Sequence, residues 1–163
     1  MVKMTETKDC EEIAKLSYLA GIVDGEGSII INKDKARRGR TSKQNRGESH
    51  ALLISMGNTN SEVVRWIEER FGGGTYRQRR NRPRRDVYFW RVWGIEAYKL
   101  LKKIRPFLVI KRKQAELGIT FQESCKRSSW NSRRPMWLVE RERNFKEEMS
   151  KLNLDWQEEE EWL

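Results

Sequence analysis

Hydrophobic positions along the chain alternate between two periods. Ile13, Leu16, Leu19 and Val23 form one stripe at helical spacing, after a polar stretch over residues 1–8 and a helix-starting pair at Asp9 and Glu12. From Ser28 the pattern becomes β-rich through Ile29-Ile30-Ile31, then gives way at Ala36 to a basic, polar loop that lasts to Gly47. Residues 49–58 alternate, with Leu52, Ile54 and Met56 facing one way and Ser49, Ala51, Ser55 and Gly57 the other, as a half-buried strand does. Helical spacing returns at Val63, Val64, Ile67 and Phe71, between an N-cap in Asn58–Ser61 and Gly72-Gly73-Gly74. A second hairpin follows, Thr75–Arg80 and Val87–Trp93 about a turn at Pro83.

Ala97, Tyr98, Leu101 and Ile104 then make a helix that Pro106 stops, because proline has no N–H to continue the ladder. Another helix is expected over Phe107–Glu123. A loop follows over Ser124–Arg134, and Pro135 opens a last helix striped by Phe145, Met149 and Leu152. The result is an α+β chain with an αββαββα core, an antiparallel sheet and C-terminal helices. No internal repeat is present. One domain over residues 1–163 is expected, with 1–8 and 155–163 as flexible tails.

Charge adds a partner to this picture. The chain carries +10 overall, but residues 27–113 hold 23 basic and 7 acidic side chains, +16, whereas the remainder holds 11 and 17, −6. A basic patch on strands and loops is the footprint of a polyanion, and the absence of one basic amphipathic helix argues against a membrane surface. Seven Trp and an orderly apolar pattern exclude general disorder. Cys10 and Cys125 are isolated and there is one His, too few for a structural zinc site, so the cysteines read as reduced bystanders of an intracellular protein. Neither a signal-peptide pattern nor a run long enough to span a bilayer is present, and cytoplasm and organelle matrix fit equally.

The chemistry concentrates in Leu19-Ala20-Gly21-Ile22-Val23-Asp24-Gly25-Glu26-Gly27. Ala20, Gly21 and Gly25 leave one helix stripe almost without bulk, which permits a second helix to approach closely. Asp24 and Glu26 arrive at the helix end, and Gly25 and Gly27 are expected to supply the backbone freedom of the exit. If two such helices pack side by side, their carboxylates meet, an arrangement that a divalent cation relieves.

This segment resembles the LAGLIDADG motif of the homing endonucleases, seven of its nine positions being identical or common exchanges. The αββαββ order and the opening Pro106-Phe107-Leu108-Val109-Ile110-Lys111-Arg112-Lys113-Gln114-Ala115 extend the likeness beyond the motif. The resemblance implies a saddle-shaped sheet that binds double-stranded DNA, motif helices at the central interface, and metal-dependent hydrolysis of phosphodiesters at a long target. Glu26 maps to the metal-binding acid, one methylene longer than the common Asp, with the Gly25 carbonyl as a further oxygen ligand and Mg²⁺ as the cofactor; Mn²⁺ or Ca²⁺ fits the same site. Lys111 maps to a lysine delivered to the attacked phosphate. Asn58, or else Asn60, maps to a polar residue that positions water. Asp24 is assigned to the helix end and, with Ala20, Gly21 and Gly25, to the dimer interface.

Among the basic residues, Arg77 and Arg79 alternate on a strand and are expected to reach base edges. Arg37, Arg38, Arg40, Arg82, Arg84 and Arg85 lie at hairpin tips and suit phosphates, and Asn32, Lys33, Lys35, Lys43, Arg46 and Lys113 complete the expected DNA surface. Arg91 suits either a DNA contact or a buried partner, and the Trp and Tyr of its strand are assigned to the core. One motif per chain serves one scissile phosphate, so a homodimer on a roughly palindromic duplex is expected, with no small-molecule substrate. The rival readings are an RNA-splicing maturase or non-catalytic DNA-binding regulator on the same fold, and a general basic nucleic-acid binder.

Overall fold

A computed structural model of the chain describes residues 3–34, 48–81, 83–125 and 135–154. Their order is α1 (Lys3–Glu26), β1 (Gly27–Asp34), β2 (Ser49–Asn58), α2 (Ser61–Phe71), β3 (Gly74–Gln78), β4 (Val87–Trp93), α3 (Gly94–Ile104), α4 (Arg112–Ser124) and α5 (Met136–Leu154), with a single 3₁₀ turn at Arg105–Phe107. The αββαββα order read from the pattern is the order found. Two boundaries differ. Helix α1 begins at Lys3, upstream of the Asp9 start expected, and the next helix begins at Arg112 rather than Phe107, the segment Leu108–Lys111 being non-helical for a reason given below. The expected tail at 155–163 and most of the 35–47 and 124–134 loops lie outside the described residues.

The four strands form one antiparallel sheet in the order β1-β2-β4-β3. Its register sorts every side chain. Ile29 pairs with Ile54 and Ile31 with Leu52, while Met56 pairs with Trp90 and Ile54 with Val92. All seven are buried in one core with Leu19, Ala20 and Val23 of α1, Val64 and Ile67 of α2, Leu101 and Ile104 of α3, and Phe121 of α4. Burying a side chain of this size stabilises the fold by roughly 1.5–3 kcal/mol. The helices therefore cover one face of the sheet, and residues of the opposite parity form a second face that no described helix covers.

Helix α2 shows how local chemistry sets a boundary. The Asn60 side chain accepts the Glu62 N–H at 2.8 Å, and the chain leaves through Gly72 at φ 70°, whose N–H donates to Glu68 O at 2.9 Å. At the far end of the sheet, Glu48 is bound by Arg143 of α5 at 2.7 Å and by Lys33 of β1 at 2.7 Å. The Arg143 guanidinium, and then the Lys33 ammonium, hold the Glu48 carboxyl at about 2.

Candidate active site

Helix α1 runs through the motif and passes directly into β1. The exit uses no left-handed glycine, contrary to expectation: the glycines with positive φ among the described residues are Gly72, Gly73 and Gly94. Gly27 is needed for closeness instead. A Cβ there would stand 2.7 Å from Val23 Cα and 2.8 Å from Val23 O, so the tight helix-to-strand turn leaves room only for hydrogen.

The two acids beside that turn have separate tasks. The Asp24 carboxylate accepts the backbone N–H groups of Val109 at 2.7 Å, Ile110 at 3.3 Å and Lys111 at 2.9 Å. These charge-assisted bonds explain why residues 109–111 leave helical geometry: their amides are aimed at the Asp24 carboxylate at the end of α1 rather than at carbonyls of their own segment. The Lys111 ammonium in turn donates to the Asp24 backbone carbonyl. Half-burial lowers the Lys111 pKa from the ordinary lysine value, against the opposing pull of the Asp24 charge.

Glu26 is exposed, and Asn58 at the end of β2 donates its Nδ2 to Glu26 Oε2 at 2.6 Å. Asn58 Oδ1 accepts the Asn60 N–H at 2.8 Å, which fixes which end of the Asn58 amide faces Glu26. Of the two asparagines weighed from the sequence, Asn58 meets the acid and Asn60 caps α2. Glu26, Asn58 and Lys111 are thus gathered around the C-terminal end of α1 from three distant parts of the chain.

That end of α1 also lines a shallow groove of about 520 Å³ bounded by Ser17, Tyr18, Gly21, Ile22, Gly25, Glu26, Asn58 and Val63. A Cβ at Gly21 or Gly25 would meet nothing within 4 Å, so the small stripe is open on the outside of the chain. Two of the four expected interface residues are used differently. Ala20 is fully buried against its own core, one step around the helix from the open stripe, and the Asp24 carboxylate is taken up by residues 109–111.

As a metal site the donors are all oxygens, the Glu26 carboxylate and the Gly25 carbonyl at the helix C-terminus, the type that Mg²⁺ and Ca²⁺ prefer. No group of three or more His, Cys, Asp or Glu among the described residues can hold a metal. With the Asp24 carboxylate engaged by residues 109–111, the exposed Glu26 is the carboxylate that the end of α1 presents.

The uncovered sheet face is the candidate nucleic-acid surface. By register it carries Ile30 and Asn32 of β1, Leu53, Ser55 and Gly57 of β2, Phe89, Arg91 and Trp93 of β4, and Tyr76 and Gln78 of β3. Several basic residues expected there are elsewhere. Lys33 has the opposite parity and pairs with Glu48. Arg77 lies opposite Tyr88, on the helix-side parity, and its guanidinium is bound to Asp86. Arg79 lies beyond the end of β3. Arg84 and Arg85 are exposed in the hairpin tip and Lys113 is exposed on α4. Lys35, Arg37, Arg38, Arg40, Lys43, Arg46 and Arg82 lie outside the described residues. Trp90 is buried and donates Nε1–H to Gly72 O at 2.7 Å, as assigned to the core, whereas Trp93 is exposed. Tyr76 and Gln78 were missed because their facing depends on which aromatic of β4 is buried, and composition does not distinguish Trp90 from Trp93.

A motif helix ending in a supported acid, a segment tied to it at Lys111, and a four-stranded sheet with one free face are features that the chain shares with a known family. The LAGLIDADG endonuclease family matches residues 19–112, and the chain belongs to it. Among solved structures it is similar to the homing endonuclease I-CvuI in complex with the I-CreI target in the presence of 2 mM Mg, DNA not cleaved, at 19% identity over 87% of this chain and 83% of that one, TM-score 0.66. It is similar also to the archaeal intron-encoded homing endonuclease I-Vdi141I complexed with DNA, at 18% identity over 86% and 85%, TM-score 0.65. At these identities the likeness establishes the shared fold. No curated protein sequence matches the chain.

Proposed function

We propose that this chain is a site-specific DNA endonuclease that acts as a homodimer, hydrolysing one phosphodiester on each strand with a divalent cation, Mg²⁺ by preference. The observation that carries the proposal is the supported acid beside an open, side-chain-poor groove: Asn58 holds Glu26 at 2.6 Å, and Gly21 and Gly25 face outward with nothing within 4 Å. A second copy seated on that groove brings a second Glu26 to the first, which supplies the carboxylate that one chain lacks. Glu26 and the Gly25 carbonyl would hold the cation, which when bound polarises the phosphoryl oxygens and favours hydroxide over water. Asn58 keeps the Glu26 carboxylate in one orientation. Lys111, anchored by Asp24, supplies positive charge where the transition state becomes more negative.

Incubating the protein with a randomised duplex pool in Mg²⁺ or in EDTA, then sequencing the cut ends, tests this directly. Ends clustering on one roughly palindromic site of about two ~10-bp turns, in Mg²⁺ alone, are expected. Selective binding without cut ends would favour the non-catalytic regulator.

A further inference from the structure

Arg91 stands at the middle of the uncovered sheet face with small neighbours on either side, Ser55 across from it on β2 and Gly74 on β3. Its guanidinium carbon lies 4.6 Å from the centroid of the Tyr76 ring. Tyr76 is stacked in turn on Phe89, with centroids 5.0 Å apart and ring planes 11° apart. Beneath this stack is Gly57: a Cβ there would stand 2.7 Å from Phe89 Cε1 and 3.3 Å from Val87 Cγ1, so the glycine creates the seat for the Phe89 ring. The stack therefore rests on a backbone feature of β2 rather than on a chance surface contact.

Among the described residues Arg91 is not held by an acid: Arg77 of the same hairpin is paired with Asp86, but Arg91 has no carboxylate partner. A guanidinium flat on an aromatic ring keeps its edge donors free while losing much of its rotamer freedom, and its fork matches the O6 and N7 acceptors that guanine presents in the major groove. A two-stranded ribbon such as β3–β4 fits that groove.

We propose that Tyr76 and Arg91 act as one base-reading unit, with Arg91 contacting a guanine in each half-site and Tyr76, seated on Phe89, as its positioning residue. This deepens the endonuclease reading above and rests on it. It also moves direct readout from Arg77 and Arg79 to the other face of the ribbon.

The test is selection of bound sequences from a randomised duplex pool in EDTA, followed by affinities for the selected site with each base substituted in turn. Wild-type protein should prefer guanine at one position per half-site by roughly 5- to 150-fold. Arg91→Ala and Arg91→Lys should lose that preference at that position alone. Tyr76→Ala should lose it too, with Arg91 intact, and Tyr76→Phe, which keeps the ring, should retain it. A uniform loss of affinity with a shallower salt slope in Arg91→Ala would assign Arg91 to phosphate and overturn the proposal, as would an unchanged preference in Tyr76→Ala. If wild-type protein selects no sequence at all, the endonuclease reading itself fails and this inference with it.

Discussion

Asp24 grips Lys111 from both ends of its own residue: its carboxylate accepts the Lys111 backbone N–H at 2.9 Å, and its backbone carbonyl accepts the Lys111 ammonium. One residue at the end of α1 thereby places another that is 87 positions away. The exchange Asp24→Asn keeps an acceptor but loses the charge. It should destabilise the protein by about 1–2 kcal/mol, since the Val109 and Ile110 amides are exposed and water replaces part of what is lost. Urea denaturation measures the stability, and hydrogen exchange should show the 109–111 amides losing protection ahead of the sheet.

Lys111 is half-buried at a cost in stability. Half-burial lowers its folded-state pKa below the value of 10.5 that the unfolded chain keeps. Between those two values the unfolded state binds more protons, so stability rises with pH in that window, and the destabilisation is fully present below the folded value. In Lys111→Met that alkaline rise should disappear from the pH profile of urea denaturation. Single-turnover cleavage at neutral pH should meanwhile fall by about 10²–10³-fold, the effect of losing one electrostatic stabiliser.

The glycines of the open stripe separate folding from assembly. Within one chain a Cβ at Gly21 meets nothing within 4 Å, and glycine inside a helix is about 0.5–1 kcal/mol worse than alanine. Gly21→Leu should therefore leave the thermal midpoint of the monomer unchanged or raised, yet abolish self-association and cleavage together. Sedimentation equilibrium at micromolar concentration reads the association. A wild-type monomer, free and on DNA, would contradict the shared site.

The arginines of the β3–β4 hairpin should divide by what they already hold. Arg77 is committed to Asp86 on the helix-side parity, so Arg77→Ala should leave base preference unaltered. Arg84 is exposed at the tip, with no ion pair among the described residues. Arg84→Ala should weaken all duplexes alike and reduce the salt slope by about 1. Affinities for selected and random duplexes at several salt concentrations distinguish the two.

The sequence carries most of this fold because period changes at Ser28, Ser49, Ser61 and Val87 are local signals that the core satisfies one by one. That Glu26, Asn58 and Lys111 lie around one end of α1 was expected from the motif and the resemblance it carries, and their positions agree with that expectation. What was not legible depends on pairing between distant segments. Arg77 alternates properly with Arg79 in the sequence, but only the register Arg77 with Tyr88 decides which face it occupies. Ala20 looks like part of a small-residue stripe with Gly21, yet one step around α1 separates a fully buried position from an open one. The loss of helix over residues 109–111 required knowing where the Asp24 carboxylate would point.

Cleavage by Glu26→Gln is the measurement that bears most directly on the account. Glutamine keeps the size and still accepts the Asn58 Nδ2–H that Glu26 accepts at 2.6 Å, but it removes the one available carboxylate at the end of α1. Assayed beside wild-type protein on the selected duplex in Mg²⁺, the variant should bind with nearly unchanged affinity and leave both strands intact. Mg²⁺-dependent cleavage at the wild-type rate in Glu26→Gln would contradict it.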